Sequence, residues 1–132
     1  MFDRLAFLTG LVMIVLFGCA HREPPLQLTI RQQIIDSAIY NFSEGDRLYR
    51  EDKYREAARF FEAAIGIVPT KVAYLSLAAC YYRLYEYAKV RDVAEAGLAI
   101  RDEMHEGVHN IDLQLLSLLG ASKFNLAINP RM

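Results

Sequence analysis

His105-Glu106-Gly107-Val108-His109 has the residue types and spacing of a catalytic metal site. On a helix, two histidines four apart share a face and hold zinc, while the glutamate works as general base on bound water. Such chemistry also needs a third ligand and a walled cleft. Gly107 weakens a helix by about 1 kcal/mol relative to alanine. Downstream of His109 the sole carboxylate is Asp112, and no histidine or cysteine follows. The motif falls in an acidic stretch between two helical segments, so a surface loop without metal is expected and a zinc metallopeptidase is the remote alternative. No serine stands in a G-x-S-x-G context. The acidic pairs Glu51-Asp52 and Asp102-Glu103 fall at helix ends or turns, as solvated punctuation. The chain is therefore expected not to be an enzyme, with no catalytic residue, no metal site and no cofactor.

At 132 residues with 54% hydrophobic content, the chain has room for one domain with a real core. Its net charge is −1, from 15 Lys+Arg against 16 Asp+Glu, and the 7 glycines are dispersed. No basic run tracks a phosphate backbone and no glycine-rich loop cradles a nucleotide, which argues against nucleic acid as ligand.

The N-terminus carries the strongest targeting signal. Asp3 and Arg4 precede an apolar run from Leu5 to Phe17, then Gly18-Cys19, and His21-Arg22-Glu23 ends it. A polar start, an apolar stretch and a small residue form the layout of a secretory signal. The run is short of the about 20 residues that span a bilayer. Leu16, Gly18 and Cys19 resemble the lipobox of bacterial lipoproteins. The resemblance implies a signal peptide over 1–18, diacylation of Cys19, and cleavage before it; an uncleaved signal anchor is the alternative. Stable anchoring takes two lipid signals, which a lipoprotein's acyl chains exceed. Ala20, rather than aspartate, after the cysteine implies by the same resemblance the periplasmic face of the outer membrane. Residues 19–29, with Pro24-Pro25, read as a semi-extended linker. Lipidation of Cys19 leaves Cys80 alone, in an apolar helical run where a buried small hydrophobe is expected.

The mature chain is helical by pattern. Thr29 and Gln32 have capping-box spacing, and Ile34, Ile35, Ala38, Ile39 and Phe42 then recur on one helix face. Residues 54–67 and 87–100 align at an offset of 33, with Tyr54 on Tyr87, Ala57 on Val90, Ala64 on Gly97 and Ile67 on Ile100. Upstream, Gly45 falls on Ala78, Leu48 on Tyr81, Tyr49 on Tyr82 and Arg50 on Arg83. A period in the low thirties with two helices per unit is the signature of a helical solenoid.

With Gly45, Leu48, Tyr54, Ala57, Phe61, Ala64 and Pro69 in register, residues 38–70 resemble a tetratricopeptide repeat (TPR). Residues 71–103 keep Tyr74, Leu77, Ala78, Tyr81 and Tyr87, but Asp102 stands where the repeat has proline, so the second helix is expected to run on. Asn41 and Glu44 depart from the pattern. A third unit opens with Leu116, Leu119 and Gly120 and stops without a second helix. The resemblance implies an all-α fold: a short right-handed solenoid of antiparallel helix pairs over 30–128, two repeats plus a C-terminal half repeat.

In that family the first helix of each repeat lines a concave groove. The resemblance places Ile39, Phe42, Asp46, Tyr49 and Arg50 there, then Val72, Leu75, Ala79, Tyr82 and Arg83, then Gln114, Ser117, Ala121, Phe124 and Asn125. The Lys and Asn clamp of chaperone-binding members is missing, because Phe42, Asp46, Leu75 and Ala79 hold those positions. A Tyr-Arg pair repeated on successive turns remains, and both residue types are favoured interface anchors; packing between helices is the competing role. The expectation is a membrane-tethered adaptor that binds an envelope protein or peptide segment in its groove and helps assemble or position an envelope complex. The alternative is a self-associating structural lipoprotein subunit. Leu113, Leu115, Leu116, Leu118 and Leu119 span more than one face of the last helix, so a homodimer or a docked partner is expected there.

Overall fold

The computed structural model of the protein describes residues 25–101 and 108–130. The signal segment with Cys19, and His105 and Glu106, lie outside them. Among the described residues the chain is all-α, with five helices and no strand: α1 (Pro25–Arg50), α2 (Tyr54–Ile67), α3 (Lys71–Arg83), α4 (Tyr87–Ala99) and α5 (Val108–Ile128). The chain divides into two compact units, Met1–Gln32 and Gln33–Met132. In the first, the described residues are the opening turns of α1, where Leu26, Leu28 and Ile30 are exposed. Everything below concerns the second.

Helix α1 starts earlier than its sequence signals suggest. Thr29 lies inside the helix, so it is no N-cap, and Pro25 opens the helix rather than belonging to an extended spacer. Proline suits a first turn, where its fixed φ is helical and its missing N–H has no partner to lose. The cap that does operate is Thr70, whose side chain accepts from the Ala73 N–H at 3.3 Å at the start of α3.

Connections of three residues join α1 to α2, α2 to α3 and α3 to α4. Links that short turn successive helices into antiparallel neighbours. Helices α2 through α5 pack consecutively, and α3 also touches α5. On α2 the buried set Ala57, Ala58, Phe61 and Ala64 follows helical spacing. The core gathers Leu48, Ala57, Ala58, Phe61, Leu77, Ala78, Cys80, Tyr81 and Val90. Ala57, Ala58, Ala78 and Cys80 in it are small, as close approach of helices requires. A Cβ at Gly45 would stand 2.8 Å from the Phe61 ring, and one at Gly97 would stand 2.8 Å from Tyr74 Cβ and 3.2 Å from a Leu115 methyl.

The turns after α1 and α3 have one geometry, 33 residues apart. Lys53 N–H bonds to Leu48 O at 3.0 Å and Asp52 N–H to Tyr49 O at 3.1 Å. Glu86 N–H bonds to Tyr81 O at 3.0 Å and Tyr85 N–H to Tyr82 O at 3.1 Å. Each is a Schellman motif, which needs a left-handed residue after the cap. Asp52 (φ 60°) and Tyr85 (φ 61°) take that place. The rings repeat too: Tyr49 meets Tyr54 edge-on at 5.2 Å between centroids, and Tyr82 meets Tyr87 at 5.7 Å.

Helix α4 does not run on past its repeat. It ends at Ala99, and Ile100 is extended, although Asp102 replaces proline.

Candidate functional site

Helices α1, α3 and α5 together line an open cavity of about 400 Å³. From α1 come Asp46 and Tyr49; from α3, Leu75, Ser76 and Ala79; from α5, Gln114, Ser117 and Leu118; Phe61 of α2 contributes behind them. The positions on α1 and α3 are four residues or fewer apart, so each helix offers one face. The lining mixes apolar surface with a carboxylate, an amide and three hydroxyls, which suits a ligand with both apolar groups and main-chain hydrogen-bonding groups.

Two ion pairs set the frame. Lys71 is 6% exposed, and its Nζ reaches both carboxylate oxygens of Asp112 at 2.8 and 3.1 Å, tying the start of α3 to α5. This engages the one carboxylate downstream of His109 in the H-E-x-x-H stretch. Among the described residues no group of three His, Cys, Asp or Glu side chains is placed to hold a metal ion. At the rim of the cavity, Arg50 pairs with Asp46 at 2.7 Å.

The structure brings together Asp46, Tyr49, Leu75, Ala79, Gln114 and Ser117 of the sequence-derived groove. Ile39 and Phe42 line a second, apolar hollow of about 230 Å³ with Ile35, Ala38, Ala64, Val68, Thr70 and Ala73. Phe42 there packs edge-on against Phe61 at 5.4 Å. Val72 and Phe124 are exposed on α3 and α5, at 43% and 67%. Arg50, Val72, Tyr82, Arg83 and Phe124 are not among the residues lining the main cavity.

Arg83 does not continue a Tyr-Arg ladder. Its Nη2 donates to the Tyr54 hydroxyl at 2.5 Å, and its guanidinium lies 4.9 Å from the Tyr54 ring centroid. The Tyr54 hydroxyl in turn donates to Asp52. That hydrogen bond, more than burial, holds the Tyr54 hydroxyl above its usual pKa, against the lowering pull of Arg83. The two arginines differ because position 79 is alanine where position 46 is aspartate. Arg83 has no carboxylate one turn back and reaches into the first turn instead.

Ser76, Leu118 and Phe61 are lining residues that sequence reasoning missed. Cys80 is fully buried, and burial pushes its thiol up to about 12, which leaves it an inert part of the core. Tyr81, also buried, donates to Glu62; burial first and this hydrogen bond second raise its pKa.

No protein-family profile, curated protein or solved structure matches the chain. Among the described residues the chain is all-helical, with five packed helices and an open cavity between alternate helices.

Proposed function

We propose that the chain is a TPR-type adaptor, tethered to the bacterial envelope through lipid on Cys19, that holds a segment of an envelope protein in the α1–α3–α5 cavity. The carrying observation is that alternate helices, each the first of its pair, converge on one cavity. The repeated turns at Asp52 and Tyr85 and the repeated tyrosine pairs support the solenoid of two repeats plus a half. Asp46, Ser76, Gln114 and Ser117 supply the few directed polar groups that orient a bound chain, and Tyr49 and Leu75 supply its apolar contacts.

The test is recovery of the full chain from detergent-solubilised membranes, followed by mass spectrometry. Wild type should bring down one envelope polypeptide, and Ser76→Arg, which fills the cavity, should lose it while keeping its helical circular dichroism. Recovery of the same polypeptide by a folded Ser76→Arg protein would move the contact elsewhere. Cys19→Ser should abolish fatty-acid labelling; a mature protein that still begins at Met1 and stays membrane-bound would favour the signal anchor.

A further inference from the structure

The α1–α3–α5 cavity is lined by a single charged side chain. Asp46 supplies it, and no lysine, arginine or histidine of the described residues lines the same space. The corresponding groove positions on α3 and α5 hold Ala79 and Ala121, so the carboxylate occurs once. Phe61, Leu75 and Leu118 give the cavity its apolar wall. A cleft with apolar walls and one sign of charge concentrates the field of that charge.

Asp46 is not locked away by the pair it makes. Arg50 Nη2 stands 2.7 Å from Asp46 Oδ2, but the arginine side chain is 77% exposed and the aspartate 44%. An exposed pair of this kind contributes little and gives way to a better partner. The other polar lining groups can accept. Gln114 gives its Nε2 to Asn110 Oδ1 at 3.0 Å, which leaves its own Oε1 for a donor. The hydroxyls of Ser76 and Ser117 accept as well as donate. A lysine ammonium or arginine guanidinium has donors and no acceptor, on an aliphatic stem that packs along apolar surface.

We propose that the cavity selects its occupant by one basic residue, whose charged head lies on Asp46 and whose stem lies over Leu75 and Leu118. Arg50 is then the internal competitor for Asp46 and swings into solvent when the segment arrives. An acidic residue in the same place would meet a like charge, with no cation on the cavity wall to receive it. The assignment rests on the cavity being the adaptor groove and adds the charge of what lies in it.

The experiment uses the full chain in living cells, with a photo-reactive phenylalanine analogue at Ser117 on the cavity wall. Mass spectrometry of the cross-linked product identifies the segment held there, which should carry a lysine or arginine. Asp46→Lys should cut the cross-link yield roughly tenfold, as reversal of one member of a charge pair does. The purified variant should keep its helical circular dichroism, since Asp46 is half-exposed. Asp46→Asn, which keeps the shape of the side chain, should lose less, and Arg50→Ala should raise the yield by removing the competitor. Exchange of the identified basic residue for glutamate should lower the yield with wild type and restore it with Asp46→Lys. Four results would each overturn the basic-residue assignment while leaving the adaptor reading in place: a segment without a basic residue, a yield unchanged in Asp46→Lys, a yield lowered by Arg50→Ala, or no rescue by the charge exchange. No cross-link from Ser117 in the otherwise wild-type chain would overturn both.

Discussion

In the first helix pair a glycine faces a phenylalanine, and at the positions 33 residues on the second pair has two buried alanines. Gly45 lets the Phe61 ring sit 2.8 Å from where its Cβ would be. Ala78 and Ala94, 33 residues on, are both fully buried. The second pair also packs on a side chain from outside it: Leu115 of α5 is fully buried and lies 3.2 Å from where a Cβ at Gly97 would stand. The first pair fills its crossing with its own ring, while the second pair also packs against the helix that follows. The same contrast governs charge. Asp46 keeps Arg50 within the first pair, whereas Ala79 leaves Arg83 to reach back to Tyr54. A repeat fixes the path of the backbone, and the departures from it decide which units bind each other.

The largest expected effect tests that packing against α5. Asp112→Ala would leave the Lys71 ammonium buried without a partner, at a cost of about 2–4 kcal/mol in denaturant unfolding. An Asp112→Ala protein as stable as wild type would mean that α5 is not held through this pair. Next comes the crossing itself. Gly45→Ala should cost about 1–3 kcal/mol by overpacking, and combining it with Phe61→Leu should recover part of that loss. Additive behaviour in this double-mutant cycle would break the claim that glycine and ring share one space.

A smaller effect, of opposite sign, separates the two turns. Left-handed backbone costs a residue with a Cβ roughly 1–2 kcal/mol, and aspartate tolerates it better than tyrosine. Tyr85 is 69% exposed and its ring meets Tyr87 only at 6.3 Å. Tyr85→Gly should raise stability by about 0.5–1 kcal/mol after glycine's own entropy. Asp52→Gly should gain nothing, because Asp52 accepts from Tyr54. Smaller again is Arg83→Ala: a slight fall in Tm that shrinks in about 1 M salt as exposed charges are screened. Arg50→Ala should shift Tm less still. Equal shifts for the two arginines would put them back in equivalent roles.

Much of the helical order was legible because the repeat is written in local residues: small ones at crossings, tyrosines after turns. The Asp52 and Tyr85 turns were visible only as an offset, since neither residue announces a left-handed backbone. Thr29 misled because a cap signal within a helix that Pro25 has already opened has nothing to cap. Asp102 misled because a helix can end without proline: the backbone is already extended at Ile100. In the cavity, Asp46, Tyr49 and Leu75 came from the groove positions that the tetratricopeptide resemblance implies. Ser76 and Leu118 did not, because the long link before α5 hides how that helix is rotated against α3. Arg83 was misplaced because its partner lies 29 residues back in sequence.

The central claim is that the α1–α3–α5 cavity is where a partner chain lies. A photo-reactive phenylalanine analogue at Gln114, exposed at the edge of the cavity, tests it in living cells, with the same analogue at exposed Ala63 on α2 for reference. The expected result is a cross-link from Gln114 to one envelope polypeptide and none from Ala63. A cross-link from Ala63 alone, or none from either position, would contradict the account.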